Sequence, residues 1–358
     1  MAPFKSSLAR SAGKLFGVLK ERDLSLRGAT QSTRFVSGFS ASGGNVDALS
    51  PGNGYKYHTF TSSGAFTLVG ASQKTFEMLL VAGGGAGGAR NDGGSDGGGG
   101  GGAGGLIYVP GVTLADGTYN VTIGNGGTAK PADNNAAATS VMLGGDTTFV
   151  LSGPSAHITA KGGGGGGSGP VGGPLGTYGN GGSGGGAGSG GSSQPTYYGD
   201  VVSQPVTLLS APQYDAFGFR GGDGDSSTPH AGSGGGGAAE RGVNGRNQPN
   251  GGAGGAGRQY PDFTGPLIGV PALNPLSGYY AGGGAGGSGG PGNNPGTGSA
   301  NGGGGASGPS GSEPLNGGPG FTNSGGGAAG GSGFTSSNPG GPGIGGAGGS
   351  GILIIRYQ

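Results

Sequence analysis

Few residues of this chain could do chemistry, and their spacing does not gather them. Histidine occurs at positions 58, 157 and 230, and cysteine is absent. A zinc site would therefore lack thiolates and would have to unite scattered imidazoles. Asp223 and Asp225, in Gly-Gly-Asp-Gly-Asp, have the look of a calcium loop, but the motif is not repeated and its remaining oxygen ligands are missing. Gly181-Gly182-Ser183-Gly184-Gly185 matches a nucleophile elbow in letters only. Gly-x-Gly-x-x-Gly recurs, yet a dinucleotide fingerprint needs a strand before it and an amphipathic helix after it, and no such helix follows any match. No pair of carboxylates is singled out for glycoside hydrolysis. The expectation is a protein that is not an enzyme, with no catalytic residue, no metal and no cofactor.

Binding is the chemistry that remains. Tyr197, Tyr198, Tyr214, Phe217, Phe219, Tyr260, Phe263, Tyr279 and Tyr280 concentrate in two spacers, 194–220 and 259–280. Tyrosine offers rigid contact area with a polar tip, which makes these residues candidates for contact with a receptor. The plainer reading is that they cover an interface between protomers or fill gaps in their own fold. A second candidate surface is the N-terminal arm. Leu8, Ala12, Leu15 and Leu19 recur at helical spacing over residues 4–22, beside Phe16, with Lys5, Arg10 and Lys14 on the polar face. Lys5, Leu8, Arg10, Lys14, Leu15, Phe16 and Leu19 read as an anchor that docks on a partner protein, or as a helix capping its own domain. Residues 1–34 hold seven Lys or Arg against Glu21 and Asp23, although the whole chain carries only +1. The body is thus slightly acidic and unsuited to nucleic acid. No run of apolar residues is long enough for insertion in a membrane.

These residues must be positioned by strands. Tyr55–Phe60 and Ala65–Val69 alternate about a Ser-Ser-Gly turn and read as a hairpin, and Phe76–Val81 reads as a buried strand. Leu106–Val109, Thr118–Ile123, Thr147–Val150 and His157–Ala160 follow as short strands, and Ile352–Tyr357 is the last. The pattern predicts a mostly β fold, a small antiparallel sandwich, with the last strand returning beside Phe76–Val81.

Between the strands lies glycine, 105 of 358 residues, in about ten tracts, with only 30% apolar and 9% charged residues in the chain. Ordering a backbone residue costs about 1–2 kcal/mol, and glycine has no side chain whose burial could offset it. Dense backbone hydrogen bonding is the remaining source of order. Collagen would need glycine at every third position, whereas in these tracts it is consecutive. Stacked polyglycine-II helices suit the tracts, with Ala and Ser on their outer faces. The expected organisation is a basic anchoring arm over 1–36 and a small β-domain with a glycine-rich insert over 37–170. A polyglycine-helix body over 171–351 and a returning strand over 352–358 complete it.

The order of motifs also carries a resemblance. His58–Thr67 precedes Met78-Leu79-Leu80-Val81-Ala82-Gly83-Gly84-Gly85; then come Gly104–Tyr108, Tyr119–Gly127 and the terminal Gly348–Tyr357. This series resembles the glycine-rich domain of bacteriophage tail-fibre and adhesin-like virion proteins over about residues 55–358. The resemblance implies a virion structural protein, located on the tail or particle surface, that mediates attachment to a host receptor or polysaccharide. It implies contacts with other virion proteins through the arm, and a homotrimer. The alternative it leaves is a purely structural component, a capsid decoration or tail-joining protein, without receptor binding.

Overall fold

A computed structural model describes residues 38–71, 74–89, 97–129, 140–151, 157–168, 179–189, 199, 201, 204, 206–207, 213–224, 231–245, 250–289, 294–307, 316–332 and 343–358. The described fold belongs to the unit Ser40–Gln358. The amphipathic helix expected over 4–22 lies outside the described residues.

Strands β1 (Ser40–Ser42), β2 (Val46–Leu49), β3 (Lys56–Phe60), β4 (Gly64–Val69), β5 (Thr75–Val81), β6 (Leu106–Thr113) and β7 (Gly117–Thr122) come first. They are followed by β8 (Thr147–Leu151), β9 (His157–Ala160), β10 (Val206–Thr207), β11 (Asp215–Phe217), β12 (Arg258–Gln259), β13 (Tyr279–Tyr280) and β14 (Ile352–Tyr357). One antiparallel sheet has the order β1-β4-β7-β8-β9-β10 and the other β11-β6-β5-β14-β3-β2, while β12 and β13 pair with each other. Among the described residues the only helical pieces are 3-10 turns at Ser140–Met142, Pro261–Phe263 and Pro271–Leu276. None is long and apolar enough to cross a membrane.

Alternation along the central strands sorts two layers. Phe76, Met78 and Leu80 of β5, Leu353, Ile355 and Tyr357 of β14, and His58 and Phe60 of β3 share one face of the second sheet. That face meets the first sheet across aromatic rings: Phe66 of β4 contacts His58, Phe60 and Phe76, with Phe149 of β8 beside it in its own sheet. The opposite face presents Tyr57, Leu79, Val81, Ile352 and Ile354. These pack with Phe263, Ile268, Leu273, Leu276 and Tyr280 into a second core cluster. The spacer 259–280 is therefore a lid that completes the core. As expected from its apolar run, β14 lies beside β5, with Ile352 opposite Val81 and Tyr357 opposite Phe76, and it also pairs with β3.

The glycine tracts continue directly from the strands and bond to one another in a three-residue rhythm. Along 82–88, residues Ala82, Gly85 and Gly88 donate to Gly105, Gly102 and Gly99. Gly83 and Ala86 donate to Gly145 and Met142, and Gly84 and Gly87 to Gly349 and Gly346. The tract 97–105 is enclosed on all sides. It donates to 325–331, 161–167 and 233–236, and accepts from 82–88, 183–189 and 284–287. Such close approach excludes side chains: a Cβ on Gly101 would collide with the carbonyl oxygen of Gly85, and one on Gly84 with that of Gly326.

The structure changes two expectations. Alanine does face outward on rim tracts, where Ala253 and Ala256 are half-buried and Ala306 and Ala347 exposed. In enclosed tracts, however, Ala86, Ala103, Ala285 and Ala328 are buried. Ala86 packs there with Met142 and Ala187, so its methyl meets other side chains. The ladder also crosses the boundary drawn at residue 170, since 97–105 bonds to tracts on both sides of it and β10 and β11 join the sheets.

Candidate functional site

The spacer aromatics divide by burial. Phe263 and Tyr280 are each 1% exposed and belong to the lid, so neither is available to a receptor. The Tyr280 hydroxyl is tied down as well, donating to the Phe263 carbonyl at 2.5 Å, and burial raises its pKa above the usual tyrosine range. Tyr260 is half-buried against Tyr108, with ring centroids 4.9 Å apart, and burial raises its pKa too. Phe217 lies on β11 under the Arg258 guanidinium, 3.7 Å from the ring centroid. Tyr279 pairs with Gln259 across the β12–β13 ladder. Tyr214 and Phe219 remain exposed. Tyr197 and Tyr198, and the anchor residues Lys5, Leu8, Arg10, Lys14, Leu15, Phe16 and Leu19, lie outside the described residues.

At the edge of the lid the structure assembles a cluster that sequence reasoning did not single out. The Arg356 guanidinium donates to Glu77 Oε2 at 2.7 Å and to Asp262 Oδ2 at 3.0 Å. It lies over the rings of Tyr55 and Phe263, 4.3 and 4.9 Å from their centroids. Its side chain is only 7% exposed. Burial pulls its pKa down, but Glu77, Tyr57 and Asp262 together raise it above the ordinary arginine value, so the charge is permanent. The Tyr108 hydroxyl donates to the same Glu77 oxygen, and its pKa is pushed up to about 12 by burial and then by Glu77. An open groove of about 360 Å³ lies alongside, lined by Tyr55, Lys74, Thr75, Glu77, Arg356 and Gln358. Both carboxylates are committed to arginine, so the cluster is built as a latch between lid and sheet. The signal was present in sequence: Arg356 and Glu77 are the lone charges of two apolar strands, and the β5–β14 register sets them opposite each other.

The weaker motifs resolve physically. His58 is buried, with Nδ1 at 2.9 Å from the Gly43 carbonyl oxygen and 3.0 Å from Asp47 Oδ1, and its ring stacks on Tyr357. His157 is half-buried on β9, and His230 lies outside the described residues. Asp223 takes Arg241 at 3.4 Å and Arg220 at 3.8 Å, so two cations stand where calcium would bind. Asp225 lies outside the described residues. Ser183 is buried in the lattice and donates to the Gly237 carbonyl, which leaves no nucleophile elbow. Among the described residues no group of three or more His, Cys, Asp or Glu could hold a metal ion.

A search of curated proteins finds no match to the chain. The family model described as a glycine-rich domain matches residues 61–358, from the turn before β4 through every tract to the end of β14. It spans β4 to β14 and the bonded glycine lattice, and the chain therefore belongs to this glycine-rich domain family.

Proposed function

We propose that this chain is a non-enzymatic virion protein that attaches to a host surface. In this reading a small β-sandwich carries a rigid bundle of stacked polyglycine-II helices, and the arm 1–36 docks on the particle. The three-residue hydrogen-bond rhythm supports the helices, because a helix with three residues per turn aims successive N–H groups in three directions. The positive-φ glycines fall outside tracts 97–105 and 231–238, as a uniform helical hand requires. The enclosed tract 97–105 makes its backbone hydrogen bonds within one chain, so threefold association is not needed to order those glycines.

The single observation that carries attachment is polarity. Strands leave the bundle at one end, while at the other the tract ends are tied together. Ala89 bonds to Ser168, Ser189 to Gly97, Ser288 and Ser307 to Ser332, and Asn294 to Asn250. A stiff body with these tract ends gathered away from the strands is suited to presenting that end to a surface. The burial of Phe263 and Tyr280 favours the second reading, a structural virion component without a receptor.

Two measurements test this. Antibody-gold labelling of particles should mark one structure on the virion, and fluorescently labelled protein should bind some bacterial strains and not others. Marked particles without cell binding would favour the structural component; neither signal would remove the virion reading. The helices are tested separately: NMR torsion angles for Gly98–Gly102 should fall near about −75° and +145°, and irregular values would exclude them.

A further inference from the structure

The rim of the bundle contains a place that another chain could fill. Along the rim tract 250–257 the amides again take three directions in turn. Gly252 and Gly255 donate inward to Gly232 and Gly235; Gly251, Gly254 and Gly257 donate sideways to Asn294, Thr297 and Asn301. The third direction belongs to Ala253 and Ala256, whose N–H groups have no acceptor among the described residues. Their carbonyls accept from Val243 and Ala239, which fixes the segment 239–243 as the neighbour on one side. Over the two bonded segments runs an open groove of about 740 Å³, lined by Arg241, Val243, Asn244, Asn250 and Ala253. On the far wall the amides of Arg241 and Asn244, also three residues apart, likewise have no acceptor among the described residues. Val243 adds an apolar side chain that is 53% exposed.

The repeat identifies the occupant. Amides three residues apart on a rise of about 3.1 Å per residue stand about 9 Å apart along the groove. A β-strand offers like-facing groups every two residues, about 6.8 Å, and falls out of step. A polyproline-II segment offers a carbonyl every third residue at the matching spacing. The unsatisfied groups are donors, so a proline-rich segment, which brings acceptors and few donors, suits them, and its rings can lie on Val243. We infer that the groove lined by 241–244 and 250–253, with the rim running on past the Ala256 amide, is a docking site for a proline-rich, polyproline-II segment of a partner protein. This rests on the polyglycine-II reading of the tracts.

The test is titration of fluorescein-labelled decaproline into the full chain, followed by anisotropy. Saturable binding is expected. The Ala253→Pro/Ala256→Pro double variant removes both donors at the φ that a polyglycine-II tract has, and should weaken binding at least tenfold. Ala253→Ser/Ala256→Ser keeps the donors and should bind as the parent does. Val243→Asp, at an exposed position, should weaken binding without depending on how the proline variant folds. An absence of binding by the parent overturns the inference, as does unchanged affinity in the folded proline variant or in Val243→Asp. If the Gly98–Gly102 torsions are those of polyglycine II and decaproline does not bind, the docking site fails while the lattice stands. Torsions of another kind remove the lattice itself.

Discussion

At His58 burial and hydrogen bonding act in opposite directions. Burial lowers its pKa below the ordinary 6.5, and the bonds to Gly43 and Asp47 recover only part of the shift. The unfolded chain thus takes up a proton at a higher pH than the folded one. Folding stability is complete above the unfolded value and declines as pH falls through about 6.5 toward the folded value. Urea midpoints measured from pH 7.5 to 5 should fall, and His58→Gln should flatten the dependence over that window. Arg356 makes a second prediction. Arg356→Ala leaves Glu77, 17% exposed, facing the lid without its partner. A loss of about 3 kcal/mol in denaturant unfolding is expected, and much of it should return in Glu77→Gln/Arg356→Met. Arg356 and Glu77 were visible in the sequence as lone charges in apolar strands, but nothing there identified Asp262 as a third member or gave His58 its partners. Asp262 lies 94 positions before Arg356 and reaches it only through the lid.

Among the elements, strands were legible and their cover was not. Phe76–Val81 and Ile352–Tyr357 announce themselves by apolar and β-branched content, and their pairing follows from there being little else to bury them. The segment 258–280 has Pro, Gly and isolated aromatics, a loop's composition, and only tertiary packing makes Phe263, Ile268, Leu273 and Tyr280 a core. Deleting 259–280 should therefore abolish cooperative unfolding rather than trim a binding loop, as a thermal melt would reveal. The tracts make a sharper prediction. Gly101→Ala inserts a methyl against the Gly85 carbonyl, whereas at Gly111 the nearest atom to a new Cβ is Thr75 Cγ2 at 3.3 Å. Gly101→Ala should cost about 1–3 kcal/mol or more, and Gly111→Ala should cost clearly less in the same assay.

For the whole molecule, composition announced that glycine must supply its own order, and run length suggested how. It could not reveal which tracts become neighbours, because identical Gly-Gly-Ala-Gly-Gly segments carry no address. Partners are assigned by the strands that feed the tracts, as where β5 leads into 82–88 and β6 receives 97–105. The buried alanines of enclosed tracts, such as Ala103 and Ala285, escaped sequence reasoning for the same reason. A chain ending before residue 352 should leave β3 and β5 without the strand between them, and should show no protease-resistant core in limited proteolysis.

The position of β14 also orders events during synthesis. Its place between β3 and β5 stays vacant until residues 352–357 have been made, so the second sheet cannot close while any of the tracts before it is still being translated. Products of premature termination then lack the closing strand and remain exposed to degradation. A chain that stops or slips frame within the near-identical repeats therefore never acquires a finished sheet, whereas one read in frame through Tyr357 does.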